Sequence, residues 1–358
     1  IAMTARPRLI LHIGTHKTAT STLQALMAAE RRNLREAGVC YPRTDHPDFI
    51  DQNKHIALAE ALIHDAAAFD LEWARVRDEF DASGAHTLVL SAEGLSGPAK
   101  SLDSSLDRLR AVADGFDVLV VCLLRRQDSF VESLWNQRSK NGRTNRHITD
   151  FVQLPTVRRH MAYKGMLDRW ATVGRVAAIG FEAARETGVV EAFSAAAGIS
   201  LPPSSKSRNV SPGMRHAALM AALNRAGVTH SHRWIEQVLG ADPTRHALGA
   251  RLRGEILAQF TDHNAALLAA YGVRFPDTLP EEDADPIPAA GSKDVERYLD
   301  ALAEQGGGDS KRKMRRQTRL RDVRQARGAA TANTAERDPA NAPRVADRPA
   351  AKPGATSP

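Results

Sequence analysis

Lys17 and four hydroxyl side chains, Thr18, Thr20, Ser21 and Thr22, crowd into six residues directly after Gly14-Thr15-His16. A lysine among hydroxyls, behind a glycine and at the start of a helix, is chemistry for an anion. Backbone N–H groups of the turn, the unpaired donors of the helix N-terminus and the ammonium all point at one guest, and phosphate fits them. The plain alternative is a capped helix start. A second constellation stands at Arg125 and Ser133, eight residues apart. An arginine at a strand end and a serine two turns into the next helix can hold one anion from two sides, the guanidinium by a forked, charge-assisted contact. A third candidate is Glu93, and a fourth His55, each able to take a proton.

These groups need a scaffold that brings distant segments to one edge. The apolar run Leu9-Ile10-Leu11-His12-Ile13 predicts a strand that feeds the Gly14–Thr22 loop, and a helix over about 22–37 leaves it. Further strands are predicted at 39–42, 87–91, 118–124 and 175–181. Between them fall helical patterns at 53–64, with Asn53 as cap, at 70–80, with Asp70 as cap, at 101–114, from near Asp128, around 166–171 and at 187–197. Alternation of this kind predicts an α/β fold: a P-loop-like parallel sheet flanked by helices, with a helical C-terminal part over 213–226, 232–239 and 244–271. Ligands of such sheets bind at the carboxyl ends of the strands, where Lys17, Glu93 and Arg125 all fall.

The domain reading is an α/β domain over 1–280, a linker with a short helix over 281–305, and a disordered tail over 306–358. The chain nets +7, but the run 311–327 holds nine basic residues and one acid, so the globular part is close to neutral. Two cysteines, Cys40 and Cys122, require no disulfide, and Cys122 sits in an apolar run that predicts a core position. No apolar run reaches membrane-spanning length and no signal-peptide pattern precedes the first strand, so the expected location is the cytoplasm.

The loop does not follow the nucleotide-triphosphatase pattern, because no second glycine precedes Lys17. A single glycine followed by Lys-Thr-x-Thr-Ser-Thr resembles instead the 5′-phosphosulfate loop of sulfotransferases that use 3′-phosphoadenylyl sulfate (PAPS). The Arg125…Ser133 pair resembles the 3′-phosphate motif of the same superfamily. Leu124-Arg-Arg-Gln-Asp, Ser133-Leu-Trp-Asn-Gln and His12-Ile-Gly-Thr-His-Lys-Thr with Leu23-Gln24 are similar to its bacterial members. The resemblance spans roughly residues 8–275. It implies that Gly14, Thr15, His16, Lys17, Thr18, Ala19, Thr20, Ser21, Arg125 and Ser133 hold the cofactor, with Arg208 of a late basic loop closing over it. It implies Lys17 on the leaving phosphate, Glu93 as first candidate for the general base and His55 as second, and no metal. The family carries glycine where this chain has Ala19, a departure that matters if the position needs a positive φ. Glu93 has a second reading, a carboxylate that orients Lys17 or an arginine.

The expected activity is transfer of a sulfuryl group from PAPS to a hydroxyl or amine of a carbohydrate, lipid or small metabolite, releasing 3′,5′-adenosine bisphosphate. Two rivals stand beside it. One is a nucleotide-dependent kinase or NTPase of a related P-loop fold. The other is a non-catalytic binder of an anionic partner through the 311–327 tail.

Overall fold

The computed structural model describes residues 6–43, 53–97, 102–203 and 212–305. Arg208, most of the 43–53 loop and the 306–358 tail lie outside the described residues. The chain divides into a compact unit that runs to Asp300 and a second from Ala301, of which only 301–305, the end of a helix, is described.

Five parallel strands form one sheet: β1 (Arg8–His12), β2 (Val39–Cys40), β3 (Thr87–Ser91), β4 (Asp117–Leu124) and β5 (Arg175–Gly180), in the order β2-β3-β1-β4-β5. The α/β class expected from the alternating runs is therefore the architecture found. β1 is central. Leu9 pairs with Leu88 of β3 and Val118 of β4, and His12 with Ser91 and Val121. Strands covered on both faces read as continuous apolar runs, which is why β1, β3 and β4 were visible without any alternation.

The two faces sort by pleat. Leu9, Leu11, Leu88, Leu90, Val120 and Cys122 pack under α3 (Ile56–His64), α4 (Ala66–Ser83), α5 (Leu102–Val112) and, further on, α9 (Tyr163–Trp170). Ile10, Val89, Leu119, Val121 and Leu123 pack under α1 (Thr20–Ala29), α2 (Arg31–Glu36), α10 (Phe181–Thr187) and α11 (Val189–Ala197). Cys122 is in the core, as its apolar run predicts, and both cysteines are free.

Between β4 and β5 the chain forms α6 (Gln127–Lys140), then α7 (Ile148–Phe151), α8 (Pro155–His160) and α9. After β5 come α10 and α11, then α12 (Met214–Arg225), α13 (His232–Leu239), α14 (Gly249–Gln259), α15 (Thr261–Tyr271) and α16 (Ser292–Gln305). Among the described residues no helix is long and apolar enough to cross a membrane.

Several boundaries differ from the sequence expectation. The helix expected over 22–37 breaks at Glu30 into α1 and α2. The helix expected from Asp70 begins a turn earlier, capped by Asp65, whose carboxylate accepts from the N–H groups of Ala67 and Ala68 at 3.0 Å. α3 starts after His55, not at Asn53, and Asn53 spends its carbonyl on the Tyr41 hydroxyl at 2.6 Å. The stretch read as a linker from 281 is hydrogen-bonded into the compact unit: the N–H of Ala250 donates to Asp283 O at 2.8 Å, and that of Ile287 to Ala247 O at 3.0 Å.

The topology also defines a crevice. The connection leaving β1 runs toward the β2 edge and the one leaving β4 runs toward β5. The crevice of an open parallel sheet lies where neighbouring strands send their chains in opposite directions, here between the carboxyl ends of β1 and β4.

Candidate anion site at the switch point

The loop after β1 is held from within. Thr15 Oγ1 donates to Leu123 O of β4 at 2.7 Å, and Thr18 Oγ1 donates back to Thr15 O at 2.7 Å. Thr20 Oγ1 lies 3.5 Å from the same carbonyl. All three threonines are buried. Of the hydroxyls expected to face a ligand, that of Thr18 is committed to the loop's own carbonyl, and that of Thr20 lies at the limit of the same contact. Ser21 is exposed and Thr22 half-buried at the first turn of α1, where the leading N–H groups have no intrahelical acceptor.

That shape demands unusual backbone. Gly14 has φ +20°, and a β-carbon there would meet Thr20 Oγ1 at 2.7 Å and His12 Nε2 at 3.2 Å, so no larger residue fits. Lys17 (φ 72°) and Ala19 (φ 61°) are the non-glycine residues with positive φ among the described residues. Ala19 is left-handed, so the position at which the loop it resembles carries glycine has a positive φ in this chain. Non-glycine residues in that region cost roughly 1–3 kcal/mol each, and such strain gathers at functional sites.

Lys17 and Arg125 meet across the crevice. Arg125 Nη1 donates to the carbonyl of Lys17 at 3.4 Å. The guanidinium also lies 5.6 Å over the Phe181 ring, its Nε is buried without a partner, and its own carbonyl accepts from the Tyr163 hydroxyl at 2.7 Å. Burial lowers the pKa of the Lys17 ammonium, and the charge of Arg125 lowers it further. Burial is also the main cause that lowers the pKa of Arg125. Neither cation has a carboxylate within ion-pair distance among the described residues. Two cations close enough for the charge of one to lower the pKa of the other, and partly out of water, favour an anion near both.

Arg126 has the opposite fate. Its guanidinium grips Asp128 at 2.7 and 2.9 Å and donates to the carbonyls of Pro276 and Thr278, while its N–H donates to Glu182 at 3.1 Å. Asp128 and Glu132 of α6 also bind Arg253 of α14, a fully buried side chain that reaches Glu282 as well. Glu132, His246 and Glu282 offer ligand atoms within 4.8 Å of one another, but the cation among them is Arg253. A cavity of about 640 Å³ is lined by His246, Glu282 and Asp285, with no residue of the loop. The face of α6 bearing Asp128 and Glu132 is thus locked, and Ser129, Ser133 and Gln137 form its half-exposed stripe.

Glu93 heads a short 3₁₀ turn after β3 (Glu93–Ser96), and its Oε2 lies 3.0 Å from His16 Nδ1. Burial pushes the Glu93 carboxyl up, but the hydrogen bond and charge of His16, with Lys54 and His12, outweigh it and the net pKa is lowered. Glu93 therefore stays ionised and orients His16. His16 in turn faces His160, the last residue of α8, at a ring distance of 6.0 Å. Burial, then the charges of His16, Arg138 and Arg159, lowers His160 to about 4. His160 was missed in the sequence because only tertiary packing brings α8 to the loop.

His55 is not brought to this group. It is 1 % exposed, and its Nδ1 accepts from the N–H of Ser91 at 3.0 Å. Burial holds it neutral, with a pKa of about 4. His12 is likewise buried and held near 4, with Nδ1 2.8 Å from Ser91 Oγ, to which Gln24 Nε2 donates at 3.0 Å. Both histidines brace the end of β3. Trp135 and Trp170 are core residues that donate to the carbonyls of Arg146 and Leu95.

The molecule is thus an α/β protein with a parallel sheet of order 2-3-1-4-5 and an anion-shaped loop at its switch point. No family model matches the chain, and no curated protein does. Among solved structures it is similar to a chain described under the PezAT chromosomal toxin–antitoxin system of Streptococcus pneumoniae, at 12% identity and a TM-score of 0.28, over 74% of this chain and 88% of that one.

Proposed function

We propose that the protein is a sulfotransferase that binds PAPS at the β1/β4 crevice and transfers its sulfuryl group to a hydroxyl or amine acceptor. The observation that carries this reading is the contact of Arg125 with the Lys17 main chain, which brings together two cations from the first and fourth strand ends that make no ion pair among the described residues. Two loci suit a cofactor with phosphate at both 5′ and 3′ positions: the loop with Lys17 for the phosphosulfate, and Arg125 with the Ser129–Ser133 stripe of α6 for the 3′-phosphate.

In this mechanism the acceptor oxygen or nitrogen attacks sulfur in line. Its bond to sulfur forms as the bridging S–O bond to the 5′-phosphate breaks, and the electron pair leaves on that phosphate. Lys17 stabilises the developing charge. The acceptor proton goes to His16, whose other ring nitrogen is held by ionised Glu93. Glu93 is then a positioning residue, close to its second reading in the sequence, and His16, expected there only to bind the cofactor, is the base. His55 serves the fold.

Calorimetric titration with 3′,5′-adenosine bisphosphate, beside ATP with magnesium, tests the reading. Tight bisphosphate binding, lost in Lys17→Ala and weakened in Arg125→Ala, is the expected result. Preference for ATP with magnesium refutes it in favour of the kinase or NTPase rival. Binding of neither by folded protein refutes both.

A further inference from the structure

One segment beside the crevice is strongly basic. Residues 133–160 carry six basic side chains, Arg138, Lys140, Arg143, Arg146, Arg158 and Arg159, against one acid, Asp150. They make up the C-terminal half of α6, the loop after it, α7 and α8. The segment borders the crevice, because His160 stands 6.0 Å from His16 of the loop and 6.5 Å from Phe130 of α6, ring to ring. Arg138 lies 5.7 Å over the Phe151 ring, and Lys140, Arg143 and Arg159 are exposed.

Several cations elsewhere on this surface are matched: Arg32 with Glu36, Arg77 with Asp81, Lys164 with Asp168, Arg175 with Asp117. Arg138, Lys140, Arg143 and Arg159 have no carboxylate within ion-pair distance among the described residues. They feel one another instead. Burial is the main cause that lowers Lys17, Arg138 and His160; Arg125 and Lys140 then lower Lys17 further, Arg143 lowers Arg138, and His16, Arg138 and Arg159 lower His160. A rim of like charge facing a site raises the local concentration of anions.

The side chains around these cations indicate which anion. The exposed large apolar residues, Leu71, Leu239, Leu268 and Leu279, all lie outside the segment, so nothing in it would enter a lipid layer. Its Trp135 and Phe151 rings are fully buried and its His147 and His160 rings half-buried, so it presents no exposed ring for stacking bases. Between the cations stand exposed amides, Asn141 and Asn145, which suit hydroxyls and carboxylates.

We propose that the 138–160 rim binds an acidic glycan, so that the acceptor is a sugar chain already carrying carboxylate or sulfate groups. This rests on the sulfotransferase reading for the chemistry, but not for the binding. The test uses the full chain with 3′,5′-adenosine bisphosphate present and follows fluorescence anisotropy of labelled oligogalacturonate, chondroitin sulfate and a neutral maltooligosaccharide of equal length. At least one acidic chain should bind, more weakly as salt rises, and the neutral chain should not. Lys140→Gln/Arg143→Gln/Arg159→Gln should weaken that binding about tenfold, and glutamine at Lys311, Arg312, Lys313, Arg315 and Arg316 by less than about threefold. If the triple variant loses its thermal transition, the single charge reversals Arg143→Glu and Arg159→Glu decide in its place. The proposal is overturned if neither acidic chain binds, if the loss follows the tail variant and not the rim variant, or if the rim variants lose binding to phosphatidylserine vesicles and not to the glycans. Glycan binding without bisphosphate binding would remove the donor reading and leave the rim standing. Bisphosphate binding without glycan binding would do the reverse.

Discussion

Replacing Ala19 with glycine should leave stability unchanged or raise it by up to about 1 kcal/mol, against the usual direction of that substitution. Ala19 has φ 61° and ψ 18° and is the N-cap of α1. An L-residue in this region brings its β-carbon too close to the following carbonyl, at roughly 1–2 kcal/mol. Glycine removes that term. It adds about 0.4–1 kcal/mol of unfolded-state entropy and forgoes part of a methyl group, which is half-buried and worth at most about 0.4 kcal/mol on the usual scale of ~0.8 per buried CH₂. The terms nearly cancel, with a small gain at their midpoints. Ala74, exposed in the interior of α4, is the matched control: glycine there should cost about 1 kcal/mol. The readout is the urea midpoint at unchanged slope. If Ala19→Gly and Ala74→Gly destabilise equally, the left-handed assignment of Ala19 is refuted. Lys17, at φ 72°, extends the test. Lys17→Gly and Lys17→Ala should both abolish bisphosphate binding, but the glycine variant should be the more stable, as expected of strain held at a functional position.

Histidines give the stability a pH window. His12 and His55 are held neutral by burial, with pKa values of about 4, below the unfolded value near 6.5, so their contribution is complete above pH 6.5 and is lost as pH falls toward 4. Between pH 7 and 5 the two should together remove about 3–4 kcal/mol, read by urea unfolding; His55→Gln, which titrates no proton, should show a shallower slope. Arg253→Ala should cost about 3–5 kcal/mol by leaving Asp128, Glu132 and Glu282 buried without their shared cation, and its deficit against wild type should narrow in acid as those carboxylates protonate. Gly14→Ala should reduce both thermal stability and bisphosphate affinity, since its methyl would collide with Thr20 Oγ1. If His16 and Glu93 act as a unit, His16→Ala, Glu93→Gln and the double variant should lose similar amounts of turnover, and the pH–rate profile should shift in Glu93→Gln; additive losses would separate the pair.

What the sequence made visible was what is local to a strand end. β1, β3 and β4 announce themselves as unbroken apolar runs, and the polar residues directly after them necessarily reach the carboxyl edge. Cap positions were less visible. Asp65 and Asp70 both offer a cap before a helical pattern, and only the Asp65 carboxylate on the N–H groups of Ala67 and Ala68 decides between them, while Glu30, where α1 gives way to α2, is a good helix former. Pairings across the chain left no trace at all: His16 with Glu93 spans 77 residues and Asp128 with Arg253 spans 125, and no spacing rule connects them. The clearest case is Arg125-Arg126. As sequence, the two are interchangeable, and a local bond to Asp128 or Glu132 could have consumed either. Successive side chains leaving a strand point to opposite sides. That alternation sends Arg126 into the Asp128–Arg253 network on the locked side of α6 and Arg125 into the crevice beside Lys17. Because Arg126 neutralises the acid and fixes the turn, its neighbour keeps its charge for a ligand. Removing that acid by Asp128→Asn should therefore loosen the turn and weaken bisphosphate binding at Arg125 in calorimetric titration, although Asp128 touches neither Arg125 nor the loop; unchanged affinity would refute the argument.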